Sequence, residues 1–350
     1  MKLIVHVGHG KTGSSSIQQS LKVVRDRLGQ QGVHYLGLML EHAQTEQRKP
    51  WQSETGSGLF FDQMDAEQAS AELLAVLEGE VEQLRTAGIK RAIWSNEWLL
   101  ERSQRVLPVL KALEERGLEI EIQCYVRSHD KWIQSAYAQW GLKHKSYTGQ
   151  VRAFENWLPV FGSRDFRFAP AISLWHTFGD NLRLFNFDAV DDVVQHFLSV
   201  NGLRDIASVT ENVSPDPVSM VAQAVFNSMR QGEVLPSTFA TVENLLRRHD
   251  QVGSHTPPLD ALFPSADALA DMVQERSDDI ARIDALLEKS GEPPLSFDSP
   301  SKIAAHPSSW DVDRYLFKLV FALNEEIGQM RHQISALQQR LQDRANSTPD

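Results

Sequence analysis

The chain has 350 residues, 41% hydrophobic and 23% charged, the balance of an ordinary globular protein rather than a disordered one. Its formal charge of −11 argues against a nucleic-acid binder, which needs a basic stripe to displace counterions, yet leaves room for a small anion held by local cations and amides. The single cysteine, Cys124, excludes an intrachain disulfide and a cysteine-based metal site, and suits a reducing cytosol.

In chain order, residues 3–7 read as a buried strand, followed by a glycine-rich turn. A helix begins near Ser15, with Ile17, Leu21, Val24 and Leu28 on one face. Residues 37–65 lack periodicity and carry Pro50, Gly56 and Gly58, so they read as a long functional loop. A helix over 67–87 precedes a second strand, Arg91–Ser95, and a helix over 104–116 follows. From Leu118 to Val126 apolar and polar residues alternate strictly, which predicts a strand with one face more exposed than a central parallel strand would have. A helix over 130–142, a fourth strand from Leu182 to Phe187 and a helix over 190–200 complete an alternation of strands and helices. That alternation implies a mostly parallel sheet covered on both faces.

Beyond about Val209 the pattern is helical, over 216–231, 238–249 and 265–289, and a Pro/Ser-rich stretch covers 291–309. The last helix carries Leu316, Val320, Leu323, Ile327, Met330, Ile334, Leu337 and Leu341 at alternating spacings of four and three, a heptad seam. The expected organisation is an α/β core over 1–208, its helical completion over 209–290, a linker over 291–309 and a long amphipathic helix over 310–343. The seam over 316–341 is a candidate for homodimer formation or for a partner helix. No window approaches the roughly 18 apolar residues of a membrane span, and the N-terminal run lacks the cleavage signal of a secreted protein. A cytoplasmic location is the expectation.

The turn after the first strand reads Gly8-His9-Gly10-Lys11-Thr12-Gly13-Ser14-Ser15-Ser16. Glycines let the backbone approach a ligand, Lys11 supplies a cation, and the hydroxyl run sits where the next helix exposes unpaired N–H groups. An ordinary strand-to-helix turn with serine caps is the plainer reading. A Walker loop needs a glycine five positions before Gly10, and Val5 stands there, so the nucleotide triphosphatase pattern fails at its defining residue.

The loop resembles the 5′-phosphosulfate loop of the PAPS-dependent sulfotransferases (PAPS is 3′-phosphoadenosine 5′-phosphosulfate), in particular the bacterial and glycan-modifying branch. There it commonly reads Lys-Thr-Gly-Thr-Thr-Ser, against Lys11-Thr12-Gly13-Ser14-Ser15-Ser16 here, and the replacements keep the hydroxyls. The family's 3′-phosphate site uses an arginine at a strand end and a serine eight residues on. Arg127 closes the strongest strand and Ser135 follows at that spacing. More faintly, Ser95-Asn96-Glu97 follows the second strand where relatives often have a Ser-Glu pair. The segment around Asp278-Asp279-Ile280-Ala281-Arg282-Ile283 looks like the helical tail of bacterial members.

The resemblance implies a P-loop-like three-layer fold with a helical C-terminal region. It implies Gly10, Lys11, Thr12, Gly13, Ser14, Ser15 and Ser16 on the 5′-phosphosulfate, with Arg127 and Ser135 on the 3′-phosphate. It further implies PAPS as donor, adenosine 3′,5′-bisphosphate as product, no metal, and a carbohydrate or other hydroxyl or amine compound as acceptor. Lys11 is then the catalytic cation, and Glu97 and His42 are the two candidates for general base. Trp94, Trp98, Trp132, Trp140, Trp157 and Trp175 read as core or as stacking platforms. Lys143, His144, Lys145 and Arg152 read as a solvated charged segment or a cationic rim. Two other readings stay open: a kinase or nucleotide hydrolase using Mg-ATP, and a non-catalytic assembly protein working through the last helix.

Overall fold

The computed structural model describes residues 1–45, 48–161, 167–203, 206, 217–228, 230–235, 259–295 and 309–346. The helix expected over 238–249 and most of the 291–309 stretch lie outside them. By internal contacts the chain forms two units: Met1–Ile133, Arg164–Ser214 and Leu269–Pro300 in the first, and Gln134–Ser163, Pro215–Ala268 and Ser301–Asp350 in the second. These units interleave along the chain and do not follow the sequence boundaries at 209 and 291.

The first unit is built on five parallel strands: β1 Lys2–His6, β2 Val33–Tyr35, β3 Arg91–Ser95, β4 Glu119–Val126 and β5 Leu182–Asn186, in the order β2-β3-β1-β4-β5. Four of these were legible as strands. β2 is three residues long and pairs only with β3, too short to show an alternation. Helices α1 Ser14–Val23, α2 Arg25–Gln30, α3 Ala66–Thr86, α4 Trp98–Glu101, α5 Leu107–Glu115, α6 His129–Ala136, α7 Phe154–Phe161, α8 Phe168–Trp175, α9 Val193–Val200, α10 Pro217–Ser228, α11 Ala266–Glu275, α12 Ser277–Lys289 and α13 Ser309–Asn346 follow in chain order. The helix expected from Ser15 is two, because Val24 leaves the helical region at φ −98°, ψ 11°. The helix expected over 265–289 is likewise broken at Arg276, at φ −112°, ψ 14°. The one expected over 130–142 turns π-helical from Tyr137 to Lys143.

Ile17, Leu21 and Leu28 do share a buried face, packed with Ile4, Ile93, Tyr125 and Phe185 of the sheet and Val194, Phe197 and Leu198 of α9. The described residues of the 37–65 segment include a π-helical turn, Leu59–Gln63, and do not form an open loop. Trp51, Phe60 and Phe61 are buried there, and the Trp51 indole N–H donates to Glu72 of α3 at 2.8 Å.

The alternation in β4 misled on exposure. β4 lies between β1 and β5, and Glu121, Gln123 and Tyr125 are all buried. Their polar groups are satisfied inside the protein. Lys2 Nζ stands 2.5 Å from Glu121, and Gln123 and Asn201 exchange amide hydrogen bonds of 2.9 and 3.0 Å. A polar residue therefore marks a paired position here rather than a wet one.

The second unit contains α7, α10, α13 and the π-helical turn. Tyr137 packs on Phe154 and Trp157, and its hydroxyl donates to the Arg152 carbonyl at 2.7 Å. Lys145 is not solvated: it is fully buried, and its ammonium donates to the carbonyls of Gly149 and Arg230. A burial of that kind holds only because backbone oxygens replace the lost water. No helix of the described residues is long and apolar enough to cross a membrane.

Candidate functional site

The chain leaves β1 toward β2 on one side of the sheet and leaves β4 toward β5 on the other. The carboxyl ends of these adjacent strands are thus a topological switch point, where parallel sheets open a ligand crevice. The segments after β1 and β4 meet there. Arg127 Nη1 donates to the Lys11 carbonyl at 3.3 Å, across 116 positions of sequence.

Three residues of the first segment take positive φ: Gly8 at 43°, Lys11 at 69° and Gly13 at 80°. For a lysine this left-handed conformation costs on the order of 1 kcal/mol, and here it accompanies the carbonyl's contact with Arg127. Gly8 is a close approach: a Cβ there would stand 3.1 Å from Ser14 Oγ and 3.2 Å from Glu97 Cβ. At Gly13 a Cβ would fall 2.6 Å from Val193 Cγ1. At Gly10 it would meet nothing within 4 Å, so there is open space on that side of the turn.

Gly13 precedes α1 without any side-chain cap, and the first intrahelical bond is Ile17 N–H to Gly13 C=O at 3.1 Å. The N–H groups of Ser14, Ser15 and Ser16 accordingly have no acceptor within the helix, and they carry the positive end of its dipole. Ser14 Oγ is buried without a hydrogen-bond partner. Thr12 is buried and directs its hydroxyl to the His9 carbonyl, bracing the turn from inside, and Ser15 is exposed.

Below the turn lies an aromatic bed. The Trp132 indole N–H donates to the Gly10 carbonyl at 2.7 Å, and the His9 ring stacks on Trp132 and contacts Phe168 edge-on. His9 is fully buried with neither ring nitrogen bonded, and burial pulls its pKa well below the usual imidazole value. His129 stacks on Phe168, and its Nε2 stands 3.0 Å from Asp279 Oδ2. The Asp279 carboxylate also accepts the N–H groups of Phe168 and Ala169 at 2.9 and 3.1 Å, so it caps α8 from a distant helix. Burial would raise the Asp279 pKa, but these three hydrogen bonds outweigh it and hold the group below its ordinary value.

Arg127 is held by Asp188, just past β5. Its Nε lies 3.4 Å from Asp188 Oδ1, and the guanidinium covers the Phe187 ring at 5.2 Å. Lys131 Nζ reaches the same oxygen at 3.5 Å, and the Ser128 N–H donates to Asp188 Oδ2 at 2.9 Å. Burial draws the Arg127 pKa below the usual guanidinium value, with Asp188 acting the other way. One carboxylate thus gathers two cations at the strand ends. Ser135 lies in the last turn of α6, half-buried, and belongs to the second unit.

Of the two candidate bases, Glu97 borders the turn at Gly8, and its Oε2 accepts from Gln18 Nε2 of α1 at 2.6 Å. His42 belongs to the segment after β2. Its Nδ1 stands 3.2 Å from Arg25 Nη1, its carbonyl accepts from His34 at 3.0 Å, and its ring meets Tyr35 edge-on. Burial lowers the His42 pKa, Glu41 opposes that and Arg25 adds to it.

Trp94, Trp132, Trp157 and Trp175 are buried, whereas Trp98, beside Glu97, is 36% exposed and stacks on Phe61. Asp188 and Gln18 escaped the sequence reading as functional parts, and Trp132 was read as core or a stacking platform rather than as a partner of the turn. A carboxylate directly after a predicted strand was the one signal for Asp188, and nothing local marked Gln18. Among the described residues no cluster of His, Cys, Asp and Glu could hold a metal ion.

No family model matches this chain, and neither a curated protein nor a solved structure does.

Proposed function

We propose that the protein is a PAPS-dependent sulfotransferase with a P-loop-like fold, acting on a hydroxyl or amine of a glycan acceptor. The observation that carries the reading is the junction of the Gly8–Ser16 turn with Arg127 at the switch point of the sheet. The first amides of α1, at the positive end of its dipole, and the Lys11 cation suit the 5′-phosphosulfate. The guanidinium after β4 suits the 3′-phosphate that distinguishes PAPS from ATP. The orphaned Ser14 hydroxyl and the open space beside Gly10 fit an anion in that turn.

In this reading the acceptor oxygen or nitrogen attacks sulfur in line. The bond from sulfur to the bridging oxygen breaks, and adenosine 3′,5′-bisphosphate departs with the bonding pair. Lys11 and the α1 amides stabilise the charge that grows on the bridging oxygen, and Glu97 takes the acceptor's proton. Its contact with Gly8 favours Glu97 over His42 in that role. Positioning and electrostatics supply most of the rate, as in phosphoryl transfer, and a sulfuryl group with its smaller charge needs no metal.

Calorimetric titration with adenosine 3′,5′-bisphosphate in the absence of metal, beside 5′-AMP and Mg-ATP, tests the reading. Bisphosphate should bind more tightly than 5′-AMP, and Lys11→Ala and Arg127→Ala should each weaken it by about 100-fold. A preference for Mg-ATP would instead favour a kinase or nucleotide hydrolase. Binding of neither would favour an assembly protein.

A further inference from the structure

The helix α13 runs unbroken from Ser309 to Asn346, 38 residues, far longer than packing within a small unit requires. Leu323, Ile327 and Met330, in the middle of its heptad seam, are half-buried, whereas the described seam positions toward either end are exposed. Leu316 is 43% exposed at one end, Ile334 and Leu337 are 53% and 57% exposed near the other, and every residue from 331 to 340 is exposed. Val312, Tyr315 and Leu319, on the flank of the seam, are half-buried as well, so the N-terminal half of the helix turns that flank to its own unit. Three exposed apolar positions in one register on a helix surface rimmed by Gln, Arg and Glu form the pattern of an unfilled coiled coil.

The choice of residues says which partner fits. With the spacing read as heptads, Val320, Ile327, Ile334 and Leu341 fall at the a positions, and Leu316, Leu323, Met330 and Leu337 at the d positions. β-Branched residues at a with leucine at d favour two parallel strands, because the packing angles at the two layers differ. Charge decides the rest. Glu326 stands at a g position and Arg331 at the following e position, both exposed. In a parallel, in-register pair the g residue of one helix meets the next e residue of the other, so Glu326 of each copy faces Arg331 of its partner, twice over. The remaining pair of this kind within the exposed segment, Gln333 with Gln338, is neutral and self-compatible.

We infer that the protein forms a parallel two-stranded homodimer through the α13 seam over residues 316–341, with two symmetric Glu326–Arg331 ion pairs setting its register. The inference goes beyond the donor-site reading and does not depend on it.

Sedimentation of the full-length protein over a concentration series measures the mass directly. A reversible monomer–dimer equilibrium is expected. Ile334→Asp with Leu337→Asp should give a monomer at every concentration, with its far-ultraviolet circular dichroism retained outside the lost coiled-coil signal. Glu326→Arg alone should weaken the dimer about tenfold, since two attractive pairs become repulsive. An equimolar mixture of E326R and R331E chains should recover wild-type affinity as a heterodimer, because each g–e pair is again opposite in charge. Leu337→Cys should form an interchain disulfide on mild oxidation, because d positions of parallel in-register helices face each other. A wild-type protein that is monomeric throughout, or a trimer or tetramer, overturns the inference. So does a dimer that the double Asp variant leaves intact, or one in which the charge mixture fails to recover and Leu337→Cys fails to cross-link.

Discussion

Helices α1 and α2 at one end of the chain and α13 at the other carry the same kind of apolar spacing, threes and fours on one face, and end in opposite environments. Ile17, Leu21 and Leu28 are fully buried against the sheet, while Ile334 and Leu337 stand more than half exposed. Periodicity therefore specifies that a face exists, and tertiary packing decides what covers it. The difference extends to polar groups. Around α1 the buried polar atoms are tied by bonds spanning about a hundred residues or more, such as Arg127 to Lys11 and His129 to Asp279. The exposed part of α13 depends on local helix hydrogen bonds and, in our proposal, on a second chain.

Four experiments would break or sharpen that contrast. The largest effect is expected from Asp279→Ala, which strips His129 and the amides of Phe168 and Ala169 of a buried acceptor. It should lower stability by about 3–5 kcal/mol in chemical denaturation. A loss below about 1 kcal/mol would mean that the bed under the turn is not held by this carboxylate.

Acid comes next. Burial lowers the His6 pKa to about 4 from an ordinary 6.5. The unfolded chain takes up its proton first as pH falls, so the contribution is complete above about 6.5 and disappears as pH approaches about 4. On the order of 3 kcal/mol should be lost over that interval. His6→Gln should flatten the profile while keeping a hydrogen bond to Ser95, whose hydroxyl lies 2.8 Å from His6 Nδ1. An unchanged slope in that variant would reassign the acid sensitivity to other groups, His9 first, whose pKa burial also depresses.

Gly13→Ala should cost about 2 kcal/mol, from its positive φ and from the contact with Val193. Adding Val193→Ala should recover the steric part and leave the conformational part. Recovery of the whole loss would show that the positive φ matters little. The smallest effect is expected in α13: Ile334→Asp should leave the denaturation midpoint of the sheet-bearing unit within about 0.5 kcal/mol of wild type. A larger loss would place the seam against the protein's own core.

The legibility of the parts follows the range of the interactions that make them. Four of five strands, the buried face of α1 and α2 and the length of α13 were readable because each is a periodic pattern within one segment. The three-residue β2 was not, since its pairing with β3 and not its own alternation makes it a strand. The break at Val24 and the break at Arg276 leave no mark in the apolar spacing, which continues across both. β4 was placed correctly but given the wrong surroundings, because a polar residue satisfied by Lys2 or Asn201 reads like one satisfied by water. In the site, Lys11, Gly13 and Arg127 were legible as residue types at the ends of strands. Asp188, which holds Arg127, was not, nor was the bond from Trp132 to the Gly10 carbonyl, since each acts across the fold.

By itself the sequence determined an α/β chain with an anion-suited turn after its first strand, an arginine closing its strongest strand, and a long helix with a heptad seam. All of these rest on covalent order and local geometry: helical and strand periods, glycine's access to positive φ, and the unpaired N–H groups at a helix start. Only the tertiary structure decided that β1 and β4 are neighbours at a switch point and that the Lys11 carbonyl meets Arg127. It also decided that Glu97 borders the turn, and that the α13 seam is left exposed at Leu316, Ile334 and Leu337. Those facts depend on which distant surfaces pack together, and the free energy that selects them comes from burial summed over the whole core rather than from any one segment.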